Sequence, residues 1–202
     1  MTEMSQTMVR MILAGYQEHG TLLMGSVLAR AGMIAGKQVS WIPSHDPERS
    51  ADNELGTEND TVNCSVVISD QEIDSAIVDE PDIAIVMNTE AFERFVDSVA
   101  PGGILYINSS TIIENPHLPP REDIRVICVP VDEMAEDLGA EHVAKIIMLG
   151  AVQAITPIVT DDALALAIRE VAKDEPKLAD LNAQAFKAGE CFGINLEFGV
   201  NP

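Results

Sequence analysis

Basic residues are scarce in this chain: Lys and Arg number 12 against 33 Asp and Glu in 202 residues, a formal charge of -21. Such a surplus opposes association with nucleic acid or with an anionic membrane surface, so partners have to be basic or indifferent to charge. Solubility, a salty cytoplasm or a basic partner subunit would each account for it. Cysteine is nearly missing too. Cys64, Cys128 and Cys191 lie more than sixty residues apart, which excludes a zinc knuckle, a thioredoxin-type redox pair and an iron-sulfur ligand run. All three read as buried thiols. Cys64 and Cys128 fall in the strand-like runs "VNCSVVIS" and "VICVPV", where cysteine acts as a small apolar residue in a reducing compartment. No apolar run reaches bilayer length: the longest, Ile146 to Val159, is interrupted by Gln153 and Pro157. Four methionines precede residue 12 without a basic region and a sustained apolar segment after it, so no secretory signal is expected. A soluble cytoplasmic protein is predicted, in which "NDT", "NCS" and "NSS" match the glycosylation pattern by chance.

What is present is a core-forming α/β pattern. With 47% hydrophobic residues the chain can bury a full core, and residues 1-202 are expected to form one domain. Apolar runs of strand length alternate with segments of helical period, the signature of a mainly parallel sheet covered on both faces. Strands are predicted at 8-13, 39-42, 62-69, 83-87, 104-108 and 126-129, the last two with both faces covered. A helix over 89-99 has Thr89 as its predicted N-cap and "PGG" at 101-103 as its stop. From Asp132 onward the strand signal ends. Helices are predicted near 132-138, 141-155, 160-172 and 176-189, the third with Thr160 as N-cap and an acidic first turn.

The stretch from Met8 to Ser44 is the most informative. A strand, a turn between Gly15 and Gly20, a helix closed by Gly36 and a second strand make half of a nucleotide-binding βαβ unit. Backbone amides at the helix start, near Thr21, can hold a phosphate or another anion. Gly15, Tyr16, Gly20 and Thr21 are therefore the candidate cofactor-binding residues. Within the turn, however, Gln17 and Glu18 stand where a phosphate loop has glycines, and the Glu18 carboxylate would repel an anion. A dinucleotide site is excluded: GxGxxG is missing, and Ser44 stands where the second strand should end near an acidic residue.

Other constellations are weaker. His19, His45 and Asp46 could be imagined around a metal, but no spacing forces them onto one face, and exposed loop residues are the simpler reading. Carboxylate pairs carry little information in so acidic a chain. His117 and His142 have no recognisable nucleophile beside them, and no serine lies in a nucleophile elbow. Residues 44-61, "SHDPERSADNELGTENDT", hold six acidic residues and one arginine. A loop this long, leaving the carboxyl end of a strand, is a solvated or partner-contacting segment or a ligand lid.

The order of several phrases resembles the gamma subunit of 2-oxoacid:ferredoxin oxidoreductases. "ILAGYQEHGTLLMGSVLARAGMIAGKQVSWIPS" is similar to the family's opening, in which GxGGQG precedes a helix. "TVNCSVVISDQEI", "DIAIVMNTEAFERF", "PGGILYINSSTI", "VPVDEMAEDLGAEHVAKIIMLGA" and "LNAQAFKAGE" follow in the family's order, so the resemblance spans Arg10 to Gly189. The departures are local. "GYQEHG" keeps Gly15 and Gly20 but replaces two glycines by Gln17 and Glu18 and a glutamine by His19. "SHDPE" stands for serine-tyrosine-glycine-proline-glutamate, and "END" at 58-60 takes the place of an arginine-glycine-glycine turn.

The resemblance implies a three-layer α/β/α fold with a mostly parallel, Rossmann-like sheet and a helical C-terminal part. It implies a subunit of a complex that oxidises a 2-oxoacid, of the 2-oxoglutarate or pyruvate type, to acyl-CoA and CO2 while reducing ferredoxin. Alpha and beta subunits are the implied partners, with ferredoxin reached through the hetero-oligomer. Thiamine diphosphate with Mg and the 4Fe-4S clusters are implied on those partners, CoA is the co-substrate, and no cofactor is expected on this chain alone. No catalytic residue and no metal ligand is expected here. The alternative is a paralogue that kept the fold and lost the site, serving as a structural or regulatory subunit elsewhere.

Overall fold

The computed structural model describes residues 8-44, 61-112 and 121-199. In chain order these form β1 (Met8–Tyr16), α1 (Thr21–Ile34), β2 (Gln38–Ser44), β3 (Thr61–Ser69), β4 (Ile83–Val86), α2 (Thr89–Phe95), β5 (Ile104–Asn108), α3 (Ser109–Ile112), β6 (Arg125–Val129), α4 (Val131–Asp137), α5 (Ala144–Ile155), α6 (Asp161–Val171) and α7 (Pro176–Glu197). The six strands make one sheet in the order β2-β3-β1-β4-β5-β6. β1, β4, β5 and β6 pair in parallel, whereas β3 runs antiparallel to both β1 and β2. The sheet is thus mostly parallel with one reversed strand. In that register Tyr16 lies opposite Thr61, and Ser44 opposite Asn63.

Alternate residues of the strands feed two different cores. Met11 and Leu13 of β1, Val66 and Ile68 of β3, Ile85 of β4 and Tyr106 of β5 face the helical layer that contains α1 and α4 to α7. Ala14, Ala84, Val86, Leu105 and Ile107 face the other way, onto Ala91 and Phe92 of α2 and Val96 behind it. α1 follows the helical period closely, burying Met24, Val27, Leu28 and Ala31. α5 is buried without a break from Ile146 to Gln153, so it is a central helix rather than an amphipathic one. Gln153, which interrupts that apolar run, is fully used: its amide nitrogen donates to the Val159 carbonyl at 2.7 Å and to Asp161 at 2.8 Å, and its oxygen accepts from Ile158 N at 3.2 Å. A buried amide is tolerable on these terms.

The α5 and α7 backbones nearly touch. A Cβ at Gly150 would fall on the Phe186 carbonyl oxygen, and one at Gly189 on the Ile147 carbonyl oxygen. Gly193 continues the contact one turn on, 3.0 Å from Ala151 O by the same measure. α7 therefore runs to Glu197, past the predicted end at 189. Its glycines serve the crossing and do not stop the helix.

Several local expectations need correction. β1 extends to Tyr16, beyond the predicted Leu13, because β3 pairs with it that far. The cap of α2 is Asn88, whose side-chain oxygen accepts from Ala91 N at 2.8 Å, and Thr89 is the first helical residue. That helix ends at Phe95 and continues only as a 3-10 turn to Ser98, before the prolyl-glycyl-glycine stop. Thr160 caps α6 as predicted, accepting from Ala163 N at 3.3 Å. Of the cysteines only Cys64 is buried; Cys128 and Cys191 are exposed. Cys128 and Val126 lie on the same face of the edge strand β6, where the second helical layer does not reach, so its predicted two-sided cover fails. The opposite edge strand β2 leaves Trp41 and Ile42 each 39% exposed. The acidic stretch 45-60, including His45 and Asp46, and His117 lie outside the described residues. No described helix is long and apolar enough to cross a membrane.

Candidate functional site

β1 is followed by α1 on one face of the sheet, and its parallel neighbour β4 by α2 on the other. A crevice opens where successive connections diverge in this way, and ligands of open α/β sheets bind there. At its floor Gly15 approaches Met87 so closely that a Cβ would lie 2.7 Å from Met87 Cβ and 3.0 Å from Thr21 Oγ1. Tyr16 is extended, Gln17–His19 form a 3-10 turn, and Gly20 reverses the chain at φ 66, a left-handed conformation that favours glycine. The Tyr16 and His19 rings lie 5.2 Å apart between centroids. Gly15, Tyr16, Gly20 and Thr21 are thus brought into one turn. The Glu18 side chain lies outside the described residues.

The start of α1 has no side-chain cap and no acidic residue in its first turn. The leading amides of a helix have no partner within the helix, and the helix dipole adds positive potential there. Thr21, 0% exposed, places an Oγ1 without a hydrogen-bond partner beside them. Beneath the turn, the Cys64 thiol donates to the Thr21 carbonyl at 3.8 Å. Burial pushes that thiol up to about 11, with a hydrogen bond involving Trp41 opposing the shift. Cys64 is inert packing at neutral pH.

Above the turn lies a cleft of about 410 Å³. His19, Met87, Asp132, Glu136, His142 and Lys145 are among its lining residues. Lys145 comes from α5, far along the chain, and its stem covers Gly20: a Cβ there would run into the lysine methylenes. Its ammonium donates to the His142 carbonyl. Burial lowers the Lys145 pKa.

The rim is fixed by two asparagines at strand ends. Asn88 caps α2 and donates to Thr61 Oγ1 at 3.2 Å, and that hydroxyl donates to Glu90 at 2.8 Å. Asn108 donates to Asp132 at 2.8 Å, while Ser110 Oγ accepts from Asp132 N at 3.2 Å. Both asparagines close apolar runs in the sequence, "IAIVMN" and "ILYIN". That polar residue at a carboxyl strand end was the available signal for the crevice. Lys145 gave none, because nothing in the sequence places the start of α5 against the turn.

The chain matches the family model described as pyruvate ferredoxin/flavodoxin oxidoreductase over residues 10–190. Ketoisovalerate oxidoreductase subunit VorA of Methanothermobacter thermautotrophicus is 31% identical over 182 residues, 90% of this chain. This chain spans only 35% of that relative's length. The 2-oxoglutarate synthase subunit KorC of Methanothermobacter marburgensis is 30% identical over 181 residues, 88% of this chain and 92% of the relative. Among solved structures, the gamma subunit of a keto/oxoacid ferredoxin oxidoreductase from Geobacter sulfurreducens superposes with a TM-score of 0.77 at 25% identity, covering 93% of this chain and 97% of that one. Kinship along nearly the whole of such separate chains, together with the family match, shows that this chain belongs to the pyruvate ferredoxin/flavodoxin oxidoreductase family as a member of the gamma-subunit kind.

Proposed function

We propose that the chain is the gamma subunit of a 2-oxoacid:ferredoxin oxidoreductase, working in the cytoplasm beside alpha and beta subunits that carry thiamine diphosphate, Mg and 4Fe-4S clusters. The observation that supports this reading best is the 30% identity extending over 92% of a KorC chain. The same match favours 2-oxoglutarate as the substrate, since KorC is a separate chain of similar extent. In the proposed reaction the oxoacid loses CO2, its two electrons pass to ferredoxin, and CoA takes the acyl group. The part assigned to this chain is to complete the complex and border the CoA path with the turn Gly15, Tyr16, Gly20 and Thr21. Gln17 and Glu18 make that turn a weak site by comparison with a glycine-rich one.

The same two residues favour a second reading, a paralogue that holds together a different complex. Purification of the tagged chain from its native source separates the two. Co-purifying thiamine- and cluster-bearing chains are the expected result. A stable complex lacking thiamine would replace the first reading by the second.

A further inference from the structure

A groove of about 320 Å³ lies between α6 and α7, and none of its lining residues borders the cleft at the turn. α7 folds back on α6 after residues 172-175, so Asp161 at the head of α6 acts on Lys187 in α7. Each wall is one line of residues at helical spacing, 161, 165, 168 and 169 on α6 and 179, 183, 186, 187 and 190 on α7. Alanines at 165, 179 and 183 keep the seam open, since larger side chains there would fill it. Ile168 and Phe186, 3% and 7% exposed, form its apolar floor. Leu166, 45% exposed, stands on the crown of α6 beside Asp162 and Arg169. The rim is acidic, with Asp161, Asp162, Asp180 and Glu190 set against Arg169 and Lys187. Glu190 engages Lys187 at 3.1 Å, and the Gln153 amide engages Asp161 at 2.8 Å. Asp162 and Asp180, both exposed, are the carboxylates best placed to meet an incoming cation.

We infer that this groove docks a basic amphipathic helix of a partner chain, its apolar stripe laid over Ile168 and Phe186 and its lysines or arginines set against Asp162 and Asp180. Charge selects that occupant. A second copy of this chain would bring another -21 and the same acidic rim, and like charges oppose association. A lysine or arginine on the docked helix meets both parts of the groove, its stem covering apolar surface while its head reaches the rim. The rim pairs are exposed to solvent, so they govern orientation and the rate of encounter, whereas burial of the apolar floor supplies most of the affinity. The inference goes beyond the proposed reaction and needs only that the chain work within a complex, which both readings share.

The test is an amide NMR titration of the full chain with a synthetic helical peptide that carries leucines at heptad spacing and lysines elsewhere, against a peptide of lysines alone. Saturable shifts of the Ala165, Arg169, Ala183 and Lys187 amides are expected with the first peptide, and binding of the second should be at least about tenfold weaker. Ala183→Leu, at an exposed helical position, fills the groove and should weaken the first peptide about tenfold. Asp162→Asn with Asp180→Asn should slow its association and flatten the salt dependence, while Glu72→Gln with Asp74→Asn, at exposed sites elsewhere, should change neither by as much. In the complex purified from the native source, Ala183→Leu should release a partner chain at lower salt than the unaltered chain does. Shifts outside the groove, equal binding of the two peptides, no effect of Ala183→Leu, or self-association of the chain that Ala183→Leu abolishes would each overturn the inference. A chain that purifies without partners would sink the proposed function instead, and the peptide titration would still judge the groove.

Discussion

Gly15 shows how one residue sets the geometry of the crevice. Its missing side chain is what lets β1 pass Met87 and lets Thr21 fold back over the strand. Gly15→Ala should destabilise the chain by about 1 to 3 kcal/mol through overpacking, measured by urea unfolding. A neutral result would mean that Met87 yields freely. Cys64 makes a pH-dependent contribution. Its ordinary value of 9.0 rises to about 11 in the fold, so between those values the unfolded chain releases a proton that the folded chain keeps. Stability should therefore fall as pH climbs from 9 to 11, by about 2 to 3 kcal/mol from this group, and no loss from it is expected below pH 9. Cys64→Ala should lose stability at neutral pH yet show a shallower alkaline decline in unfolding midpoints. At this scale the turn was legible because Gly15, Tyr16, Gly20 and Thr21 are neighbours in sequence. Lys145 was not, since its place over Gly20 depends on how α5 packs.

Among the elements, the α5 and α7 pair carries the sharpest packing constraint. Gly189→Ala would set a methyl group against the Ile147 carbonyl, and two rigid backbones cannot relax as a side chain can. We expect a loss above that of an ordinary helix-surface substitution, at least about 2 kcal/mol, despite alanine's higher helix propensity. A gain in melting temperature would contradict the close crossing. Leu149, fully buried in α5, should cost about 2 to 5 kcal/mol when changed to alanine. The six strands and most of the helices could be read from periodicity, because apolar runs bounded by Gly, Pro and Asn survive tertiary context. Helix ends were harder. Thr89 and Asn88 are both good caps in sequence, and only the side-chain bond to Ala91 decides between them. The open faces of β2 and β6 were hidden for a different reason: an apolar run does not reveal that its strand lies at an edge.

For the molecule as a whole the charge of -21 decides how it meets other chains. If the proposed complex presents a basic surface, assembly should be fast at low salt and slow as salt rises. Replacing the acidic residues at 46, 48, 52, 54, 58 and 60 by their amides should slow association and flatten its salt dependence in stopped-flow or surface-binding measurements. Unchanged assembly would reduce that stretch to a solubilising role. The α/β architecture was legible at this scale, as was the family, because long-range phrase order persists where individual motifs decay. The reversed direction of β3 was not. A strand reads the same whichever way it lies in the sheet, and only its pairing with Met8–Tyr16 fixes the sense.

That reversal gives the chain an evolutionary freedom. Since β3 starts beside Tyr16 and β2 finishes beside Asn63, β2 and β3 are paired antiparallel neighbours at one margin of the sheet, and their register is set by the strands themselves. Residues gained or lost in the sequence between these two strands leave that register and the interior unchanged. A lineage can therefore trade one connecting sequence for another while inheriting the same folded body.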